Sequence, residues 1–328
     1  MLSTIRRLSA VAVVTFFLSS FVDAGLSGCP KNLAIQLTNI FQIGDIKFQY
    51  SNCELDNEGY GYASGIANFC TGTSDTWPVI MAYHYLTGGN DEFSKYDSVL
   101  AKRAEDKDGS VVGLEGFCEV WQNASTNKNF ITAQDAVYDE LYFKPSQIFA
   151  DELGLKLSVS QAAMYDTAIL RGAGDYVGTL GGIIKETNEK VTGNKQGDSK
   201  SSLKINDYTV DEIEWLNMFL DVRANYDNIG AAVNIKSYKY IIEQKEYSWK
   251  HNISILENGG QPGNITCDNS YNSQSEQIAQ PLVACGNSCS ELGSSKYKSF
   301  SSSASGINSY GPYVLALGGL AALFNYYF

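Results

Sequence analysis

Between residues 29 and 250 apolar residues recur at helical spacing, and this recurrence confines the chain to a mostly helical body. From Lys31 to Phe41 the stripe is Leu33, Ile35, Leu37, Ile40 and Phe41. Thr132–Leu153 is rich in helix formers, with a break expected at Pro145. Ser158–Arg171 reads as a buried helix and Thr179–Val191 as another. Thr209 and Glu212 have the spacing of a capping box, followed by a stripe of Ile213, Leu216, Met218, Phe219, Leu220 and Val222. Strand-like material is short and confined to "KFQYSNCEL" and "GYGYASGIANF". The expected fold class is therefore α+β, mostly α, with one small sheet.

The two ends differ from this body. Arg6 and Arg7 precede the apolar run Leu8–Phe21, and Ala24 supplies a small-residue exit, the pattern of a secretory signal over 1–24. The folded unit is expected over 25–254. A Gly-, Asn- and Ser-rich extension, loosely folded and partly tied by disulfides, is expected over 255–310. The apolar tail 311–328 follows a small polar stretch and has no Lys or Arg after it. That is the layout of a GPI-anchor signal, with Ser302–Ser305 as the attachment region, rather than of a plain C-terminal membrane helix. Membrane association is expected only through this anchor, at the outer cell surface. Cysteines 29, 53, 70, 118, 267, 285 and 289 all follow the leader, so an oxidising route would pair most of them and leave one over. Asn123, Asn252 and Asn264 each head an N-x-Ser/Thr sequon and are expected glycosylation sites on surface loops.

Charge and residue usage narrow the chemistry. A net charge of −12 argues against nucleic acid as a partner and would suit a polycation, although acidity also serves solubility. His84 and His251 are the only histidines, which leaves little room for Ser-His or Cys-His catalysis, and no GxSxG is present. His84 lies in the aromatic segment "AYHYL" and reads as structural. Cys285 and Cys289 lack the spacing of a zinc pair, and "ELDNEG" lacks the order of an EF-hand loop, so no metal or other cofactor is expected. What remains is "CELDNEGYGYASGIANFCTGTSD", in which Glu54, Asp56 and Glu58 fall beside a glycine-broken turn. Cleaving a glycosidic bond needs one carboxylic acid to protonate the leaving oxygen and one carboxylate to act as nucleophile or activate water. Spacing alone favours solvated loop acids over this catalytic pair.

The residues from "LTNIFQIGDIKFQY" through that stretch resemble the N-terminal active-site segment of the glycoside hydrolase family 46 chitosanases. "QDAVYDELYFKPSQIFADELGL", "QAAMYDTAILRGAGD" and "EWLNMFLDVRANYD" resemble later family segments, in the family's order, and together they cover 29–250. The resemblance implies a lysozyme-like fold: a larger helical lobe and a smaller lobe with a three-stranded sheet flank a cleft that binds chitosan, and hydrolysis proceeds with inversion. It places the general base at Glu58, the water-positioning residue at Ala63 and the general acid at Gln42. Asp75 then matches a contact to a glucosamine amine, and Tyr60 stands where the turn carries arginine. Glu54 matches an acid that either touches substrate or accepts hydrogen bonds at a strand end. Asp166 and Arg223 match members of a buried ion network that orients the acid. A further arginine is expected between 236 and 246, where only Lys236, Lys239 and Lys245 occur.

The departures set the functional expectation. An amide at position 42 cannot donate a proton as a carboxylic acid does, a loss worth about 10²–10⁴ in rate. Glu58 carries its carboxylate one methylene further out, roughly 1.5 Å, a shift that fits within the roughly 6.5–9.5 Å spacing of inverting pairs. Ala63 lacks the hydroxyl. The expectation is a monomeric, extracellular protein that recognises chitosan or partly acetylated chitosan oligosaccharides with weak or lost hydrolysis. One alternative is an active endo-chitosanase with a displaced acid, drawn from Glu54, Asp56 or Asp45. The other is a non-catalytic wall interaction protein.

Overall fold

The computed structural model describes residues 25–73, 75–227, 232–257 and 260–267. The expected leader 1–24, Cys285, Cys289, the expected attachment region and the apolar tail lie outside the described residues.

The chain enters through α1 (Gly28–Ile43). This helix buries every residue from Asn32 to Asn39, so it runs through the core with more than one face covered. Gly44 ends it in the left-handed conformation (φ 71°), its N–H bonded to the Ile40 carbonyl at 3.1 Å. Strands β1 (Cys53–Leu55), β2 (Tyr62–Ser64) and β3 (Phe69–Cys70) follow as an antiparallel sheet in chain order. Only the last part of "KFQYSNCEL" is strand. Phe48 instead packs edge-on against Tyr50 and Tyr138, which bends the chain between α1 and β1. Pairing of Cys53 with Ser64, and of Ser64 with Phe69, turns these three residues to the core. The Cys53–Cys118 disulfide ties that face to the helix that begins at Phe117. Pairing of Glu54 with Ala63, and of Ala63 with Cys70, sets these three on the opposite face.

Next come α2 (Thr76–Thr87), α3 (Asp97–Asp106), α4 (Phe117–Ala124) and α5 (Lys128–Tyr138). Their aromatic side chains interlock around Phe93, Phe117, Trp121 and Phe130, all fully buried. The break expected at Pro145 is a π-helical turn over Asp139–Phe143. Pro145 itself opens the first turn of α6 (Lys144–Leu153), where its missing N–H leaves no helical bond unmade. α7 (Ser158–Arg171) is buried continuously from Val159 to Ala168 and forms the centre of the helical body.

Beyond α7 lie α8 (Leu180–Glu189), the hairpin of β4 (Ser202–Ile205) and β5 (Tyr208–Asp211), α9 (Glu212–Arg223), α10 (Ala232–Glu243) and the hairpin of β6 (Asn252–Leu256) and β7 (Pro262–Thr266). Three small sheets are therefore present among the described residues, where one was expected. The capping box at Thr209 and Glu212 is also corrected. Thr209 stays in β5, paired with Lys204, and the N-cap of α9 is Asp211, whose Oδ1 accepts the Ile213 N–H at 2.9 Å. β6 crosses position 255 and pairs in full with β7, and the Cys29–Cys267 disulfide fastens the hairpin's end to the start of α1. Trp215 and Trp249 are buried in this half, and trimming either to alanine would cost about 3–5 kcal/mol.

Candidate functional site

Glycine permits the turn between β1 and β2. Gly59 and Gly61 hold φ of 89° and 88°, where a Cβ is strained. The loop at Gly109 then packs backbone to backbone on this turn: a Cβ at Gly109 would lie 1.8 Å from the Gly59 carbonyl oxygen. Asp56 fastens the turn from inside. Its Oδ2 accepts the N–H groups of Glu58 (2.8 Å) and Tyr60 (2.9 Å), and its own N–H bonds the Gly61 carbonyl at 2.8 Å. Asp56 is thus a turn-forming acid, which leaves Glu58 exposed at the tip of the turn.

The expected residues of the sheet and turn share one electrostatic neighbourhood. Burial lifts the Tyr60 hydroxyl above its ordinary range, helped by Glu58, Asp56 and Cys70. The Cys70 thiol is pushed up by burial first, then by the charges of Asp75 and Asp56. Asp75 Oδ1 accepts the Cys70 N–H at 2.9 Å and a short bond from the Thr73 hydroxyl. Burial nonetheless lifts the Asp75 carboxyl to about 6. Tyr142, on the π turn, lies close enough that Asp75 and Cys70 add to the upward shift that burial imposes on its hydroxyl. Glu58, Asp56, Tyr60, Cys70, Asp75 and Tyr142 therefore form one cluster. Glu54 faces Ala63 directly across β1 and β2 and is exposed, while Ala63 is buried. Cys70 is a free thiol, and Cys70 and Tyr142 are members that sequence reasoning missed. An odd cysteine count pointed to an unpaired thiol without placing it.

Gln42 stands apart on the exposed last turn of α1. No described hydrogen bond joins its amide to the turn. Asp45 is exposed just beyond, its carboxylate accepting the Lys47 N–H at 3.1 Å.

Beneath α1 lies the ion network. Asp166 of α7 and Arg223 of α9 are both fully buried and form a 2.7 Å ion pair. Arg223 also bonds Asp227 Oδ2 (2.9 Å) and the Thr167 hydroxyl (3.0 Å). Burial alone would lower the guanidinium's affinity for its proton, but the charges of Asp166 and Asp227 outweigh it and hold the group above its ordinary range. The Thr38 hydroxyl donates to Asp166 Oδ1 at 3.1 Å, one helical turn before Gln42. The expected further cation is not part of this network. Lys239 pairs with Asp221 and Lys245 with Asp198 at the surface, and Lys236 is exposed. Asn234 of α10 bonds both Asp166 oxygens instead, each at 3.2 Å. Sequence reasoning missed Asn234 because it searched for a cation.

Among the described residues no group of three or more His, Cys, Asp and Glu side chains is arranged to hold a metal ion, and no helix is long and apolar enough to cross a membrane.

Known proteins resemble this chain in sequence and in fold. A chitosanase of Bacillus subtilis is 37% identical over 212 residues, covering 64% of this chain and 71% of that protein. A chitosanase of a Streptomyces species is 32% identical over 195 residues, covering 59% of this chain and 65% of that protein. Among solved structures, a mutant Bacillus subtilis chitosanase complexed with 6 GlcN superposes with a TM-score of 0.63 at 30% identity, covering 74% of this chain and all of that one. A Gynuella sunshinyii chitosanase in complex with chitotetraose also gives 0.63, at 29% identity, covering 73% of this chain and 98% of that one. The mostly helical, lysozyme-like α+β fold is thereby established, and the family model described as glycosyl hydrolase family 46 matches residues 36–255. On the fold, the matched length and the ordered segments together, the chain belongs to glycosyl hydrolase family 46.

Proposed function

We propose that this chain recognises chitosan, the β-1,4-linked glucosamine polymer, along the face of the small sheet, and that inverting hydrolysis there is weak or lost. One observation supports the reading: α1 ends in an exposed amide, Gln42, where the family resemblance expects the acid, while the carboxylates gather on the turn and beside it. Glu58 keeps the role of general base, and Ala63 leaves the attacking water without a hydroxyl to place it. Asp75, Glu54 and Tyr60 contact the sugars, and carboxylates grouped on one surface attract the polymer's ammonium groups. The Asp166–Arg223 network holds α7 and α9 against α1. The same reading makes the protein extracellular, monomeric, glycosylated and held to the membrane only by a C-terminal GPI anchor.

Glu54 supports a second reading, an active endo-chitosanase with a displaced acid. It is exposed and directly opposite Ala63 in the β1–β2 register. Asp56 is committed to the turn, and Asp45 to its own loop. The mature protein, assayed at pH 5 with soluble chitosan, should bind in a titration calorimeter and release few reducing ends. Turnover comparable to the Bacillus subtilis enzyme measured alongside would overturn the first reading, and its loss in Glu54→Gln would establish the second.

A further inference from the structure

We infer that the β6–β7 hairpin carries two N-glycans side by side on one face, at Asn252 and Asn264, and that both are attached before the hairpin closes. The inference rests on passage through the secretory route.

The register supplies the geometry. Asn252 pairs with Thr266 and Ser254 with Asn264, so the two sequons run antiparallel in mutual register. Strand side chains alternate between faces, and cross-strand partners share one. Asn252, Ser254, Asn264 and Thr266 therefore line a single face. Ile253, Ile255 and Ile265 line the other and are buried at 1%, 0% and 5% exposure. Both asparagines are exposed, and neither side-chain amide makes a described hydrogen bond. As diagonal neighbours they stand about 7–8 Å apart, and a sugar on either Nδ2 points into solvent without disturbing the isoleucines.

The same contacts close the sequons once folded. Enzymatic transfer requires a sequon whose backbone and hydroxyl are free to meet the enzyme. In the folded hairpin the Ser254 hydroxyl donates to Glu246 Oε1 at 3.1 Å, and its N–H donates to Glu246 Oε2 at 2.6 Å. The Thr266 carbonyl accepts from Gln36 Nε2 at 2.9 Å, and the next residue is locked by the Cys29–Cys267 disulfide. Modification must precede these contacts. Asn123 lies outside the strands, exposed in the last turn of α4; the hydroxyl of its own sequon, on Ser125, donates to the Gln122 carbonyl at 2.7 Å, and the site serves as an internal reference for glycan attachment.

The full chain, expressed in a eukaryotic cell line with its own N-terminal segment and purified from the cells and the medium, provides the test. No Lys or Arg lies between 251 and 295, so trypsin leaves both sequons on one peptide, 251–296. Intact-glycopeptide mass spectrometry then counts glycans per molecule. The expected result is a predominant doubly modified peptide that loses one glycan in Asn252→Gln and one in Asn264→Gln. A peptide bare or only singly modified in molecules modified at Asn123 overturns the inference. A chain bare at all three sites and retained in the cytosol overturns the secretory reading, and this inference with it. In a second arm, purified oligosaccharyltransferase with a lipid-linked donor is offered the folded, unglycosylated full chain and the same chain reduced and unfolded. The unfolded chain should be modified at Asn252 and Asn264 at least tenfold faster, and equal rates would overturn attachment before closure.

Discussion

Asn234 donates to both oxygens of Asp166, 3.2 Å apiece, and Arg223 pairs with the Oδ2 of the same carboxylate at 2.7 Å. The pair joins α10 to α7, and through Thr38 the same carboxylate reaches α1. Arg223 thus faces two carboxylates, Asp166 and Asp227, and the network holds no surplus positive charge.

A ranking of stabilities follows from this network. Asp166→Ala strands a fully buried guanidinium with one remaining carboxylate, and should cost about 3–5 kcal/mol in denaturant unfolding. Asn234→Ala removes two bonds to a charged acceptor and should cost about 1.5–3 kcal/mol. Equal losses would mean that the amide, rather than the ion pair, holds the helices together.

Asp75 predicts a pH limb in chitosan binding. Its carboxyl is lifted to about 6 by burial, against 3.8 for the free side chain. The native state therefore binds the extra proton between those values, and ionising Asp75 in the empty protein opposes stability as pH rises through that interval. A sugar ammonium offsets the buried charge, so affinity should climb from pH 4 to 6 as the carboxylate forms. It should fall again at higher pH as the sugar amines lose theirs. Calorimetry across this range should show the rising limb in the native protein and lose it in Asp75→Asn.

Cys70 reports on the same carboxylate. Burial and the neighbouring Asp75 and Asp56 charges hold its thiol well above the usual range. Since the thiolate is the reactive form, alkylation at pH 8 should run at least about tenfold slower than for a free cysteine. Asp75→Asn removes one of the charges and should speed the reaction. A rate unchanged by that substitution would separate the two side chains electrostatically.

His84 predicts alkaline sensitivity. It is 1% exposed, with Nδ1 2.7 Å from Asp91 Oδ2 and Nε2 2.8 Å from Asp97 Oδ1. Burial lowers its affinity for a proton, but the bonds to the two carboxylates outweigh it and raise the group from 6.5 to about 9. The stabilisation is complete below pH 6.5 and is lost as pH rises through 9, a change of roughly 3 kcal/mol. Denaturation midpoints should fall over this window in the native protein, and His84→Asn should flatten that part of the curve.

Much of the helical body was legible because burial leaves a local imprint. α7 reads from its run of Ala162, Ala163 and Met164, and the turn reads from Gly59 and Gly61 beside Asp56. The misreadings have long-range causes. Thr209 has the right spacing for a cap, but strand pairing with Lys204 holds it in β5 and passes the cap to Asp211. Asn234 carries no charge pattern, and its role depends on α10 packing against α7. The shift on Asp75 comes from burial by tertiary packing, and its nearness to Tyr142, far along the chain, leaves no mark in the local sequence. In the final hairpin the alternation of Ile253 and Ile255 was hidden by the Gly- and Asn-rich residues around it.

The proposed loss of hydrolysis is tested most directly by Gln42→Glu. A general acid contributes about 10²–10⁴ in rate, so if Gln42 is the main defect, reducing-end release at pH 5 should rise by about tenfold or more. The network beneath α1 bears on the outcome. Its single cation is already shared between Asp166 and Asp227, so it has little attraction left to strip the proton from an introduced glutamic acid. The acid should remain protonated, the form that donates, over the range where chitosan is soluble. Ala63→Thr in the same background should add a further gain by supplying the hydroxyl that places water beside Glu58. Activity that stays flat in Gln42→Glu and in the double variant, with chitosan binding intact, would show that the helix end at position 42 does not reach the bond to be cleaved.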